Sequence, residues 1–175
     1  SISPGGTLNW KYLDGDSVSQ PVINHAGDIL FAVGKKQTVD LDGWRIPAIK
    51  QLVSLKPDRT ENWKTELGSS PHFLTVGPEG DVVFGMNAVN YGDPQGLFVC
   101  DTNGNLSLLN DSFTISGYAP SSPAIDSEGR IYLSMVYGFL SYKMIVLDSI
   151  GEVLWGNDDA IATWGEFSLG NAGEI

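Results

Sequence analysis

"SSPAIDSEGRIYLS", residues 121–134, reads as an extended run, a tight turn at Glu128-Gly129, and a second run with Ile131 and Leu133 in alternation. Two other stretches share its outline: "SQPVINHAGDILF" (19–31) and "SSPHFLTVGPEGDVVF" (69–84). A fourth, "FSLGNAGEI" (167–175), lines up with "PVINHAGDI" (21–29), with Phe167 in place of the proline. Each copy is two short strands joined by a tight turn. Self-similarity of this kind marks a repeat architecture, and here it decides the fold.

A second motif precedes each hairpin. "SPGGTLNWK" (3–11), "KPDRTENWK" (56–64), "DTNGNLSLL" (101–109) and "DSIGEVLWG" (148–156) each place a turn residue four positions before an apolar one. The pairs are Gly6 and Trp10, Arg59 and Trp63, Gly104 and Leu108, Gly151 and Trp155, at intervals of 53, 45 and 47 residues. Apolar runs at 51–55, 96–100 and 143–147 complete the period. The repeat therefore has four strands, here a (Pro-x-x-x), b (Gly-Asp-Ile-Leu-Phe), c (Met-Ile-Val-Leu-Asp) and d (Glu-Val-Leu-Trp). Four strands in about 40–50 residues is the arithmetic of a β-propeller blade. The apolar runs alternate with period two, and no long stretch carries a helical period. One four-stranded sheet cannot hide both faces, so neighbours must stack. Trp10, Trp63, Leu108 and Trp155 on the d strands are expected to pack between blades. The second hairpin carries three extra residues, read as an enlarged a–b turn.

"SSPAIDSEGRIYLS" followed by "MIVLDSIGEVLW" (144–155) resembles the repeat of PQQ-like (quinoprotein-like) β-propellers, whose units run S-P-A-I, G-x-I-Y, A-L-D-x-x-G-x-x-x-W. The resemblance covers nearly the whole chain and is best at 121–155. It departs at Leu108, where tryptophan is usual. It implies an all-β propeller, and a family that holds PQQ- and Ca²⁺-dependent dehydrogenases beside cofactor-free scaffolds. The departures favour a divergent scaffold, so PQQ is not expected and Ca²⁺ is the one cofactor candidate. The units run approximately 1–48, 49–95, 96–142 and 143–175, a single partial propeller of three and a half to four blades. The resemblance implies rings of seven or eight blades. Remaining blades in a longer chain, a second copy, or a small four-bladed ring would each complete it, because open edges invite association.

Composition narrows the function classes. A hydrophobic content of 42% in 175 residues supports one globular domain. Ten basic against 21 acidic residues give a net charge of −11, which repels phosphate backbones and argues against nucleic acid. No apolar run nears the ~20 residues that span a bilayer. A start at "SISPGG" suits a mature or trimmed form, and an extracellular, periplasmic or cell-surface location is expected. Cys100 is the only cysteine, so no intrachain disulfide forms, and its place at the end of a c strand suggests a buried small hydrophobe.

In a blade of order a-b-c-d the a–b and c–d turns share one face, and they are short: "NHAGD", "DSEGR", "DTNGN", "DSIGE". The b–c connections (34–48, 87–96, 136–142) and d–a connections (11–19, 64–69, 109–122, 156–166) share the other and are long. Binding residues concentrate on such loops. This face holds Tyr12, Trp44, Tyr91, Tyr118, Tyr137 and Trp164 among many carboxylates, which suits a protein or carbohydrate partner. Trp44 and Trp164 lead the candidates. Asp14 and Asp16, and Asp40 and Asp42, are fragments of calcium-loop patterns, while Asp101 in "DTNGN" belongs to ordinary turn chemistry. Asp158 and Asp159 near Glu166 outline a glycoside-hydrolysis pair, but adjacent loop acids are mostly solvated. His25 and His72 fall in different repeats, and no nucleophile or metalloprotease motif is present. The reading is a non-catalytic scaffold or binding module. The alternatives are a fragment of a quinoprotein dehydrogenase and a glycan-processing propeller.

Overall fold

Strands b and c are apolar on consecutive residues as well as alternate ones, and the structure shows why: both faces of the sheet are covered. The computed structural model describes residues 4–12, 17–36, 47–69, 71–86, 94–111, 122–137 and 141–157. Among these residues every regular element is a strand. The first sheet holds β1 (Ser17–Val18), β2 (Val22–Ile23), β3 (Ile29–Lys36), β4 (Pro47–Leu55) and β5 (Glu61–Glu66). The second holds β6 (Pro71–Val76), β7 (Val82–Met86), β8 (Gly96–Cys100) and β9 (Leu106–Asn110). The third holds β10 (Ala124–Ile125), β11 (Ile131–Tyr137), β12 (Ser141–Leu147) and β13 (Val153–Asn157).

Every pairing is antiparallel and joins strands in chain order, except that β1 and β2 both pair with β3 as successive pieces of one a strand. The sheets begin the period at strand a, so β4 and β5 complete the sheet that β1 to β3 begin. First strands of neighbouring sheets approach one another, β2 with β6 and β6 with β10, which sets them on the inner side. This is a partial β-propeller.

The second sheet shows how alternation and continuity coexist. Val82, Phe84, Phe98 and Cys100 pack with Leu30, Ala32 and Leu52 of the first sheet. Val83 and Leu97 pack with Ile131, Leu133, Ile145 and Leu147 of the third. Adjacent residues of one strand thus serve two different cores, and all five residues of β7 are buried. Cys100 is fully buried in the first of these cores. Burial pushes its thiol up to about 11. A thiol reagent at pH 7.5 is therefore expected to leave the folded chain unlabelled while labelling it fully in denaturant. Rapid labelling without denaturant would contradict the packing of β8.

The d strands dock on the next sheet through its c–d turn. Trp63 is half-buried, and its Nε1 donates to the Thr102 carbonyl at 2.9 Å. The ring lies so close to Gly104 that a Cβ there would sit 2.9 Å from it. Between the second and third sheets the same contact is made by different residues. Asn110 Nδ2 donates to the Gly151 carbonyl at 2.8 Å, and a Cβ on Gly151 would meet the Leu109 carbonyl oxygen at 2.4 Å. Leu108, expected between the blades, is instead 50% exposed. A register slip explains the change. In β5 the extra residue falls before Trp63, opposite the Ser54/Leu55 step, whereas in β9 it follows Leu108, opposite the Leu97/Phe98 step. The displaced bulge turns Leu109 inward in its place.

Two further expectations are corrected. The three extra residues of the second hairpin lie in β6 rather than in the turn. The turn from Gly77 to Asp81 closes with the same backbone bonds as those from Asn24 to Asp28 and from Asp126 to Arg130. Strand β6 instead begins earlier and bulges at Phe73 and Leu74, opposite Phe84, with Phe73 at a φ of 42°. The b–c connection expected at 136–142 is also short, because β11 and β12 pair out to Tyr137 and Ser141 and leave three residues between them.

Candidate binding face

The two ends of the sheets differ in how their connections are held. At the regular end, the turns are closed by backbone bonds, and those led by Asn24, Asp101, Asp126 and Asp148 are also locked by that first side chain. Asn24 Oδ1 accepts from the amides of Ala26 and Asp28 at 3.0 and 2.8 Å. Asp101, Asp126 and Asp148 repeat the arrangement with the amides two and four residues on. The remaining oxygen of Asp101 accepts from Asn105 Nδ2 at 2.8 Å. Both oxygens of Asp101 are therefore engaged in the turn, which is the reading its Asp-x-x-Gly pattern favoured. The Asn105 side chain and amide hold the Asp101 carboxyl below the usual range.

Asp126 is the most elaborate of these turns. Its Oδ2 accepts from Arg130 Nε at 2.6 Å and from the Tyr132 hydroxyl at 3.0 Å. Its side chain is 9% exposed, and that burial works to raise its pKa. The Arg130 guanidinium, the amides and the Tyr132 hydroxyl outweigh it, so the carboxyl titrates below its ordinary value. A folded pKa below the unfolded one adds stability above the unfolded value, near pH 4, which is lost as pH falls through the folded one. The stability difference between the wild type and Asp126→Asn should thus be full at pH 7 and shrink toward pH 2–3. Denaturant titrations at the two pH values check this, and an unchanging difference would contradict it.

His25 sits in the first a–b turn, where its Nδ1 donates to the Pro78 carbonyl at 3.2 Å and ties that turn to the next sheet. No group of three or more His, Cys, Asp or Glu that could hold a metal ion occurs among the described residues. Likewise, no helix among them is long and apolar enough to cross a membrane.

At the opposite end emerge the b–c connections 37–46, 87–95 and 138–140 and the d–a connections 67–70 and 111–123. Of the residues expected to bind there, Trp44, Trp164, Tyr91 and Tyr118 lie outside the described residues, as do Asp14, Asp16, Asp40, Asp42, Asp158, Asp159 and Glu166. Tyr137 is the last residue of β11, its backbone paired with Ser141. Tyr12 is redirected. It is half-buried with its ring edge-on to Phe31 at 4.9 Å, and with Trp10 it covers the outer face of the first sheet. Beside them opens an apolar groove of about 360 Å³ lined by Val18, Pro21, Ile23, Ile29 and Phe31. Its lining residues come from three separate strands and the segment before them, so no single stretch of sequence announces it. Trp155, the last of the expected inter-blade residues, is 50% exposed on β13.

No family model matches the chain, and neither does any curated protein. Among solved structures it is similar to the X-ray structure of a protein described as a candidate gluconolactonase, with a TM-score of 0.58 and 19% identity. That likeness covers 96% of this chain and 58% of the other, so the chain spans little more than half of that protein's length. At this identity the likeness concerns the fold alone, and it supports the propeller without reaching the quinoprotein-like family that the repeat resembles. A protein of unknown function from Bacteroides caccae aligns over 89% of this chain and 87% of its own, with 14% identity and a TM-score of 0.34, and carries no argument.

Proposed function

We propose that the chain is a non-catalytic binding module of a secreted or surface protein, which recognises a protein or glycan through its long b–c and d–a connections. One observation carries the reading. Each Asn- or Asp-led turn at the regular end spends that side chain on its own backbone, leaving chemical variety to the other end. Trp44, Trp164, Tyr91, Tyr118 and Tyr137 supply rigid aromatic area there at little entropic cost, and the neighbouring carboxylates supply acceptors. A calcium ion held by Asp14, Asp16, Asp40 or Asp42 would order those connections.

The test is binding to a glycan array and to candidate surface proteins, repeated with Trp44→Ala and Trp164→Ala. The reading expects saturable binding that weakens at least about tenfold in one of the two variants. Turnover of a bound glycan would replace it with a processing enzyme, and a stoichiometric quinone spectrum after incubation with PQQ and Ca²⁺ would replace it with a dehydrogenase. The processing alternative deserves its own assay because the similar solved structure is described as a candidate gluconolactonase.

A further inference from the structure

Among the described turns of the regular end, the one at 101–105, between β8 and β9, differs in its chemistry. Here Asn103 stands immediately before Gly104. The residue before the matching glycine elsewhere is Ala26, Glu79, Glu128 or Ile150, none with a side-chain amide. The sequence holds no other Asn-Gly step. Glycine has no Cβ, so its backbone nitrogen can reach the carboxamide of the preceding asparagine, itself a thermolabile side chain. Asn103 is exposed, so water reaches it.

The folded turn withholds the reaction. The Gly104 amide donates to the Asp101 carbonyl at 3.0 Å, and the Asn103 amide donates to Asp101 Oδ1 at 2.8 Å. Asn105 holds the same carboxylate through its amide and its Nδ2. The nitrogen that would attack is thus engaged, and its residue is fixed at a φ of +87°. The carbonyls on either side of Asn103 also hold the first sheet. That of Thr102 accepts from Trp63 Nε1 at 2.9 Å, and that of Gly104 accepts from Thr65 Oγ1. The turn therefore cannot open far without releasing β5.

We propose that Asn103 is a self-modification site that records opening of this turn: the freed Gly104 nitrogen converts the asparagine to isoaspartate, which keeps the first and second sheets from docking again. The Gly104 nitrogen, having given its proton to hydroxide, bonds to Asn103 Cγ. The Cγ–Nδ2 bond breaks, and Nδ2 leaves as ammonia with a proton from water, which restores the hydroxide. Water then opens the cyclic imide. Attack at Cγ gives aspartate, and attack at the Asn103 main-chain carbonyl gives isoaspartate, with the chain now running through Cγ. Nothing is oxidised or reduced, and water is the only co-reactant. The isoaspartate backbone is longer by one C–C bond, about 1.5 Å. Trp63 and Thr65 belong to one strand, so that length cannot be taken up without losing the bond to Thr102 or the bond to Gly104. The site lies at the regular end and stands whether or not the partner-binding reading holds.

The experiment incubates the full chain at pH 8, folded and in urea, and maps the products by digestion, mass spectrometry and an isoaspartate-specific methyltransferase. Conversion at Asn103 is expected in urea, and at least about tenfold more slowly in the folded chain, where only the open fraction reacts. Thr65→Val removes one hold on the turn and should speed the folded reaction without changing the rate in urea. The isoaspartate form, separated by its added charge, should lose the contact between Gly104 and the Trp63 ring. Asn103→Gln, whose longer side chain closes a ring far more slowly, is the unreactive control. Four results would overturn the proposal: no conversion at Asn103 in urea, equal rates in the folded and denatured chain, a folded rate unmoved by Thr65→Val, or an isoaspartate form that keeps Gly104 against Trp63. Should circular dichroism show Thr65→Val unfolded, Trp63→Phe takes its place, since it keeps an aromatic ring and loses the Nε1 bond.

Discussion

Replacing Gly151 by alanine should lower the stability of the chain by about 3 kcal/mol, or roughly 10 °C in melting temperature for a protein of this size. Two costs combine. Gly151 has a φ of +90°, where a side chain crowds its own backbone, worth about 1–2 kcal/mol. The added Cβ would also sit 2.4 Å from the Leu109 carbonyl oxygen and 2.9 Å from its carbon. These are backbone atoms, which no side-chain rotation can move aside, so the second and third sheets must separate. Gly129→Ala is the matched control. It has a φ of +80°, but its nearest neighbour is the Ser149 Cβ at 3.3 Å, an adjustable contact. The control should therefore lose only the conformational part, and equal losses at the two sites would mean that β9 does not dock on the 148–151 turn.

Phe84→Ala is the second large effect, an expected loss of about 3–5 kcal/mol. Phe84 is fully buried on β7 and stacks with Phe98 at a centroid distance of 6.4 Å and an interplanar angle of 18°. Its ring belongs to the core shared with Leu30, Ala32 and Leu52, so the cavity would open between two sheets rather than within one. Collapse into it is restrained from both sides, which puts the cost near the upper part of the range. Urea denaturation followed by tryptophan fluorescence reads the change. Phe73, on the neighbouring strand but 47% exposed, should cost far less on the same substitution. A small loss at Phe84 would show that the first two sheets are not packed through it.

The repeat was legible because turn chemistry is local. Asp126, Glu128 and Gly129 could be read as a turn from three letters, and the same turn recurs at Asn24, Asp101 and Asp148. Four strands per unit and their pairing order followed from that spacing. Register was not legible. Whether Leu108 or Leu109 faces the third sheet depends on a bulge whose place is fixed by packing across sheets, which no single strand encodes. Pro71 misled for a related reason: it begins β6, whereas Pro21 and Pro123 stand just before β2 and β10, and the extra residues fall in that strand and not in its turn. Tyr12 looked like a loop aromatic until its contact with Phe31 placed it on the first sheet. The aromatic and acidic candidates of the long connections rest on their residue types and on the end of the sheets from which those connections leave.

Successive four-stranded sheets dock edge over turn, as blades of a propeller do. Nuclear magnetic resonance of the Gly104 α-protons tests it most directly, because the Trp63 ring lies against that carbon. Strongly upfield-shifted α-protons with cross-relaxation to the Trp63 indole are expected, both abolished in Trp63→Leu. Gly104 α-protons at ordinary shifts, with no contact to the indole, would contradict it.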